Sequence, residues 1–330
     1  MGRPSMHAAK FLVAFAFGLA ATLAQAAGFR FIEVPADADG PVLNGAIWYP
    51  CSEPPDTIVL GPYSLSVAKD CPIRGDKLTL IVVSHGRGGS FLSLYDVAET
   101  LADAGFVVAA VNHPGDTSSD MSRSDNLSAF VERPTDIRRL LGHMLGASTA
   151  APKIDPERIG FFGFSRGGYT GLVLIGANPD WAKVSELCQR SSLHVCEQIR
   201  RKEFPAQPLA HDPRIRAAVV ADPLGGLFFT AESLSAVKTP VQLWASELGG
   251  DGITQESVAA VNQNLPAKHE YHLVPNSVHF AFIVCPPALA KAVPEICTDA
   301  PGFDRIVFHK QFNAEVLSFF RTELGPARRE

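Results

Sequence analysis

The chain has 330 residues, of which 46% are hydrophobic and 19% are charged, and its formal net charge is −5. This composition is typical of a globular protein with a full hydrophobic core and excludes a disordered or fibrous chain. Proteins that bind nucleic-acid backbones carry clustered Lys and Arg, and no such cluster occurs in the sequence, so we expect no nucleic-acid partner.

The first 26 residues have the pattern of an export signal. Arg3 and Lys10 supply positive charge, residues 11–23 are apolar or small, and residues 24–26 form an A-x-A cleavage site. Because the apolar run is shorter than the ~20 residues that span a bilayer, we predict a signal peptide at 1–26 rather than a membrane anchor. We therefore expect an exported protein, periplasmic or secreted, whose single mature domain covers 27–330 without a membrane span.

The first half of the mature chain predicts a hairpin followed by a β-α-β unit. Residues 29–34 and 43–49 are β-rich and flank the turn signal Asp-Ala-Asp-Gly at 37–40. After a loop, residues 78–83 are continuously apolar, which is typical of a parallel strand covered on both faces. A helical pattern at 92–104 stops at Gly105 and is followed by a strand at 106–111.

The alternation of strands and helices continues to the C-terminus. We predict strands at 158–162, 215–221, 241–245 and 271–274, and helices at 134–145, from 167 onward, at 257–264 and at 308–321. This order predicts an α/β fold with a mostly parallel central sheet and helices on both faces. The connection before strand 215–221 is longer than one crossover helix requires, so residues of about 179–213 are predicted to form a cap insertion.

Six cysteines lie in the predicted mature part. In exported proteins thiols persist as disulfides, and six cysteines allow 15 pairings. Closing the shortest loops predicts the bonds Cys51–Cys71, Cys188–Cys196 and Cys285–Cys297, the second of which would staple the cap. The spacing of Cys and His matches no zinc motif, so we expect no metal site.

The segment Gly-Phe-Ser-Arg-Gly at 163–167 is a Gly-x-Ser-x-Gly pattern between a predicted strand and a predicted helix. A sharp strand-to-helix turn strains its central residue and leaves no room for side chains beside it, which favours glycine at both flanks. The turn exposes the central hydroxyl near the helix N-terminus, where backbone N–H groups attract negative charge. Ser165 is therefore the candidate nucleophile.

A serine hydroxyl needs a base to accept its proton as it attacks. With this motif the order along the chain is nucleophile, acid, histidine. His279 follows the predicted strand 271–274 in a loop that can reach the carboxyl edge of the sheet, so it is the candidate base. His309 lies in a predicted helix, and His269 and His272 lie in or before a strand, so we expect those three to be structural or exposed.

Two carboxylates could orient the base. Asp222 closes the apolar strand 215–221, where a lone carboxylate is hard to bury without a partner. Asp251 follows the next strand, the usual position for the acid, but it lies in a Gly-rich loop where Asp is common as a turn residue. The sequence favours Asp222 and leaves Asp251 as the alternative.

A Gly-rich loop follows the strand at 78–83. No Gly-Lys-Ser/Thr follows it, which argues against a phosphate-binding loop. An oxyanion hole in this arrangement uses the backbone N–H after the nucleophile and one from this loop, which predicts Arg166 and Arg87 as donors. We also expect His85, Gly86 and His113 to contact the substrate.

Together these motifs resemble the α/β-hydrolases called predicted dienelactone hydrolases in bacteria, and the related platelet-activating factor acetylhydrolases. The resemblance is carried by residues 47–50, 84–88, 112–115, 163–167 and 278–280. It implies the α/β-hydrolase fold and hydrolysis of a carboxylic ester with a small or accessible acyl group, without a metal or a cofactor. It also places the acid at the end of the strand after the nucleophile, as at Asp222. Dienelactone hydrolases use a cysteine nucleophile, so their lactone substrate is not implied here.

The sequence therefore predicts a serine hydrolase that forms an acyl-enzyme from a small-molecule, lipid or polymer ester. Two alternatives are an exopeptidase of the same fold, because the same triad cleaves amides, and an inactive hydrolase-like binding protein. An inactive relative would most often lack one triad residue, and all three candidates are present here. The motifs specify neither the acyl length nor the oligomeric state.

Overall fold

The computed structural model describes Gly2, residues 26–266 and residues 268–325. Apart from Gly2 and Ala26, the predicted signal peptide at 1–26 lies outside the described residues. Within the described ranges, no helix has the length and apolar character needed to cross a membrane.

Ten strands in the described residues form one mixed sheet with the order β10-β9-β8-β7-β5-β6-β2-β1-β4-β3. The six strands from β10 to β6 in this order are mutually parallel, which confirms the predicted mostly parallel α/β sheet. The strands are β1 Ala26–Val34, β2 Leu43–Cys51, β3 Asp56–Leu60, β4 Tyr63–Lys69, β5 Leu78–Ser84, β6 Val107–Val111, β7 Ile154–Phe164, β8 Ile215–Ala221, β9 Val241–Ser246 and β10 His269–Val274.

Helices cover both faces of this sheet. Side chains of a strand alternate between its faces, and in β5 Leu80 and Val82 pack into one buried cluster while Ile81 and Val83 pack into the other. The α-helices are α1 Tyr95–Asp103, α2 Ser128–Val131, α3 Arg133–Leu145, α4 Arg166–Leu174, α5 Trp181–Leu187, α6 His194–Arg200, α7 Ala231–Leu234, α8 Gln255–Asn264, α9 Pro287–Ala292 and α10 Arg305–Leu324. The first cluster includes residues of α3, α4 and α8, and the second includes residues of α1 and α10.

The segment between Cys51 and Cys71 differs from the prediction. Its sequence predicts a loop, whereas it forms the antiparallel hairpin β3–β4 at the edge of the sheet. Leu65 and Val67 are buried while their neighbours Ser64 and Ser66 are exposed, which is the period-two pattern of a half-buried strand. The polar composition of the segment conceals this alternation.

The long connection between α4 and β8 contains the short helices α5 and α6. The six cysteines, all within the described ranges, form the three predicted disulfides, and Cys188–Cys196 joins the end of α5 to α6. Val184, Ile199 and both cysteines form a separate small core, and the Trp181 ring stacks on Phe204 with centroids 5.2 Å apart. We call residues 179–213 the cap.

Candidate active site

Ser165 lies in a tight turn between β7 and α4. Its φ of 56° is in the left-handed region, which is strained for a non-glycine residue. A Cβ on Gly163 would collide with the carbonyl of Gly167, and one on Gly167 would collide with the carbonyl of Ser84. The two flanking glycines are therefore required by the close approach of backbone to backbone.

Ser165, His279 and Asp222 form one hydrogen-bonded array. The Ser165 Oγ lies 3.0 Å from His279 Nε2, and His279 Nδ1 lies 2.6 Å from Asp222 Oδ2. All three side chains are at most 3% exposed. Ser246 donates two more hydrogen bonds to Asp222, from its N–H to Oδ1 at 2.8 Å and from its Oγ to Oδ2 at 2.7 Å. Asp222 is therefore held by hydrogen bonds from two neighbouring residues, His279 and Ser246.

His279 lies in the turn after β10 and reaches the tight turn that holds Ser165. Its N–H donates to the carbonyl of Gly249 at 2.8 Å, and its ring stacks on Phe164 with centroids 4.7 Å apart. Gly250 packs beside it with a φ of 136°, and a Cβ there would lie 3.3 Å from the His279 Cβ. The Gly-rich loop after β9 thus supports the imidazole through its backbone.

Asp251, the alternative acid, occupies a different place. It is exposed in a turn closed by hydrogen bonds between Gly250 and Ile253, and the described residues show no hydrogen bond between it and His279. Asp222 instead ends β8 with a φ of 45°. A positive φ does not separate the two acids, because Asp251 has a φ of 49°. The hydrogen bond between Asp222 and His279 does separate them.

The predicted oxyanion donors are the backbone N–H groups of Arg87 and Arg166. Each is oriented by hydrogen bonds to the carbonyl of the same peptide unit, which belongs to Gly86 or Ser165. The Gly86 carbonyl accepts from His85 Nδ1 at 2.7 Å, from Arg133 Nη2 at 3.2 Å and from Gly89 N at 3.2 Å. The Ser165 carbonyl accepts from two backbone N–H groups at 3.0 and 3.1 Å. In a trans peptide the following N–H points the opposite way, and in the described part of the chain neither Arg87 N–H nor Arg166 N–H has an acceptor.

Three buried charged residues lie next to the loop after β5: Asp116, Arg133 and Arg166. We call them the arginine cluster. Asp116 Oδ2 accepts from Arg133 Nη2 and Arg166 Nη1, both at 2.7 Å, and all three residues are at most 4% exposed. Burial raises the pKa of Asp116, but the two guanidinium groups outweigh it and hold that pKa below its ordinary value. Burial lowers the pKa of Arg133 to about 10.

The arginine cluster also binds the loop after β5. Arg133 Nη1 donates to the His85 carbonyl at 2.6 Å, and Asp116 Oδ1 accepts from Gly88 N at 3.1 Å. Sequence analysis did not single out Asp116 or Arg133. The one signal for Asp116 is its position in the loop after β6, at the carboxyl edge of the sheet, whereas Arg133 has the sequence context of an ordinary surface arginine.

His85 and His113 have surroundings that differ from the expected substrate contact. Both are 1% exposed, and burial lowers the pKa of each, which favours the neutral imidazole. His113 bonds Ser84 Oγ and Asp136 Oδ2, each at 2.9 Å, and His85 Nε2 accepts from the His113 N–H at 3.3 Å. Because their ring nitrogens are occupied inside the protein, these side chains support the loop from behind.

We predict that Asp116→Asn lowers the free energy of unfolding by about 3–5 kcal/mol, because it leaves two buried arginines without a carboxylate. Asp125→Asn is the matched control, since Asp125 pairs with Arg87 at 2.9 Å on the surface, where such a pair contributes about 0–1 kcal/mol. Urea denaturation measures both. Equal losses in the two variants would contradict the stabilising role of the arginine cluster.

No group of three or more His, Cys, Asp or Glu suited to a metal ion is found among the described residues. The side chains and backbone amides named above can transfer protons and donate hydrogen bonds. They match the parts that acyl transfer requires: a hydroxyl, a base in contact with it, a carboxylate behind the base, and free N–H donors.

Comparison with known protein families gives one match, to part of the chain. The family model described as platelet-activating factor acetylhydrolase, isoform II, matches residues 56–138, a part that includes Arg87, Asp116 and Arg133 and ends before Ser165. A search of curated proteins by sequence gives no match.

A solved structure of a ferulic acid esterase from Streptomyces cinnamoneus superposes with a TM-score of 0.62 at 20% sequence identity, covering 92% of this chain and 91% of the other. At this identity the likeness shows a shared fold over almost the whole chain. The chain is therefore similar to the platelet-activating factor acetylhydrolases over residues 56–138 and shares the fold of this esterase over almost its whole length.

Proposed function

We propose that this protein is a carboxylic ester hydrolase with Ser165 as nucleophile, His279 as general base and Asp222 as the acid that orients it. The observation that carries the proposal is the continuous hydrogen-bonded array from Ser165 Oγ through His279 to Asp222. The matching family, an acetylhydrolase, and the similar solved structure, a ferulic acid esterase, support ester rather than amide hydrolysis.

In the first half of the reaction Ser165 Oγ attacks the ester carbonyl carbon while His279 Nε2 takes the hydroxyl proton. The tetrahedral intermediate then collapses, the bond to the alcohol oxygen breaks, and His279 returns the proton to the leaving alcohol. In the second half a water attacks the acyl-Ser165 ester with the same help from His279. The products are a carboxylic acid and an alcohol, and no redox step is involved.

The negative charge of each tetrahedral intermediate falls on the former carbonyl oxygen. We propose that the N–H groups of Arg87 and Arg166 bind it, and each such donor typically contributes ~2.7–4 kcal/mol to transition-state stabilisation. The donors to the Gly86 carbonyl, Arg133 among them, polarise the same peptide unit that carries the Arg87 N–H. The arginine cluster would thereby act as a positioning group for the oxyanion hole.

We also propose that the protein is exported, with a signal peptide at 1–26 and one hydrolase domain at 27–330 whose cap is the insertion at about 179–213. Three disulfides support this location, because such bonds persist in oxidising compartments. The natural substrate would be a small-molecule, lipid or polymer ester.

A fluorophosphonate probe with mass spectrometry tests the proposal directly. We expect one adduct on the peptide that contains Ser165, formed in parallel with loss of p-nitrophenyl acetate hydrolysis, because only a base-activated serine attacks such a probe at a useful rate. A folded protein that takes up no probe would be an inactive scaffold. A protein that takes up the probe but, before labelling, cleaves aminoacyl amides and leaves esters intact would instead be an exopeptidase.

A further inference from the structure

A cavity of about 510 Å³ lies between the cap and the nucleophile turn. We call it the cap cavity; its lining includes Phe130, Trp181, Val195, Ile199, Leu224 and Phe228, together with Arg87 and Arg166. We propose that the cap cavity binds the acyl group of the ester, and that this group is uncharged, apolar and much larger than acetyl. This inference rests on the proposed function and adds the substrate class to it.

The position of the cap cavity connects it to Ser165. Leu224, which lines it, donates its N–H to the Ser165 carbonyl at 3.0 Å, and Arg166 follows Ser165 in the chain. Neither Ser165 nor His279 belongs to the lining, whereas both residues with candidate oxyanion N–H groups do. The oxyanion is the former carbonyl oxygen of the acyl half of the ester. If the Arg87 and Arg166 N–H groups bind this oxygen, the attached acyl chain is the part of the ester beside the cavity.

The charged residues that line the cap cavity disfavour a charged acyl group. Arg166 Nη1 donates to Asp116 Oδ2 and to the Ser124 carbonyl, so the charge of Arg166 is paired inside the protein. The Arg166 guanidinium lies over the Phe130 ring at 4.7 Å. Arg87 is paired with Asp125. The two acidic residues of the lining, Asp125 and Asp251, are exposed and would repel an anionic acyl group.

Apart from Ser124, Ser191 and these charged residues, the lining is apolar and partly aromatic. Phe130 and Phe228 lie with ring centroids 6.2 Å apart, and Trp181 faces them from the cap. Aromatic rings attract other rings beyond the contribution of buried area. Val195, Ile199 and Leu224 complete the wall with aliphatic groups, so both aromatic and medium-length alkyl acyl groups match this surface.

The size of the cavity sets a lower limit on a well-fitting group. A cavity of about 150 Å³ accommodates benzene, so the cap cavity is several times larger than one ring, and an acetyl group would leave it almost empty. Each buried methylene is worth about fourfold in an equilibrium or rate constant. We therefore expect kcat/KM for p-nitrophenyl octanoate to exceed that for the acetate at least about tenfold.

The outer wall is held in place by the disulfide Cys188–Cys196, whose two residues are part of the lining. Arg200 of α6 adds hydrogen bonds to the carbonyls of Cys188 and Ser191 at 2.5 and 2.8 Å. Because the disulfide and the hydrogen bonds of Arg200 fix this wall, the cavity has a limited volume. A substitution that reduces this volume should therefore change the selectivity for acyl length.

Val195→Trp tests this, because Val195 is a partly buried lining residue of α6 and a larger ring there would fill the cavity. We expect it to lower the octanoate-to-acetate ratio of kcat/KM at least tenfold. His194→Trp, on the exposed start of the same helix and outside the lining, is the matched control and should leave the ratio unchanged. If Val195→Trp does not fold by circular dichroism, Val195→Phe gives a smaller change with the same direction.

The outcomes separate the two proposals. An unchanged ratio in a folded, Ser165-dependent enzyme overturns the cap cavity as the acyl site and leaves ester hydrolysis intact. Acetate hydrolysis that does not depend on Ser165 overturns the proposed function itself. A parallel series of alkyl acetates tests the acyl assignment: if Val195→Trp affects that series rather than the acyl series, the cavity binds the leaving alcohol and our assignment is wrong.

Discussion

Ser165→Ala is expected to reduce kcat for p-nitrophenyl ester hydrolysis by several orders of magnitude, in a protein that remains folded. The substitution removes the attacking oxygen, and loss of the equivalent serine in a serine protease lowers kcat about 2 × 10⁶-fold. The fold should persist because the turn is fixed by its glycines and by the hydrogen bonds of the Ser165 carbonyl, which alanine keeps. Fluorophosphonate labelling should disappear together with turnover.

Ser235→Ala is a suitable control, since Ser235 is an exposed residue just after α7. It should hydrolyse the ester at the wild-type rate. A small residual rate in Ser165→Ala is compatible with the mechanism, because an oxyanion hole and substrate binding alone leave about 10³–10⁴-fold catalysis over water. Retention of most of the wild-type rate would remove Ser165 from the mechanism and with it the proposed function.

The sheet was predictable because its central strands are buried on both faces and read as continuous apolar runs. Residues 78–83, 215–221 and 241–245 therefore matched β5, β8 and β9 to within one residue. The edge hairpin β3–β4 was missed because its apolar positions alternate with serines and its outer strand is largely exposed. An edge strand carries half of the hydrophobic signal of a central one.

At the site, the nucleophile turn at 163–167 could be predicted because its glycines are required by the local backbone geometry. The arginine cluster was not, because the contact of Arg133 with Asp116 depends on where α3 packs beside the loop after β6. A sequence shows that His85 and His113 follow strands, yet it does not show whether a ring turns toward the cavity or into the protein. Their burial behind the loop is a product of tertiary packing.

The choice between the two candidate acids also depended on tertiary structure. Both Asp222 and Asp251 follow strands at the carboxyl edge, so chain order leaves them equivalent. Distance separates them: Asp222 Oδ2 lies 2.6 Å from His279 Nδ1 and is held there by Ser246. Asp251 faces solvent in a turn.

Asp222→Asn is expected to lower kcat at least a hundredfold with the fold intact. An asparagine in this place can direct an N–H at His279 Nδ1, which favours the tautomer with the proton on Nε2, and that nitrogen can then no longer accept the Ser165 proton. The same change in a serine protease lowered kcat ~10⁴-fold. It also removes the charge that stabilises the imidazolium formed during attack.

Asp251→Asn is the matched variant, with the same change of group in the neighbouring loop. With an uncharged ester it should alter kcat by less than about tenfold, because Asp251 has no hydrogen bond to His279 within the described residues and takes no part in proton transfer. The kcat of both variants for one p-nitrophenyl ester at one pH, with circular dichroism for the fold, decides the matter. If Asp251→Asn proves the slower enzyme, the acid lies after β9, the orienting role of Asp222 is wrong, and the short contact to His279 Nδ1 serves packing instead of proton transfer.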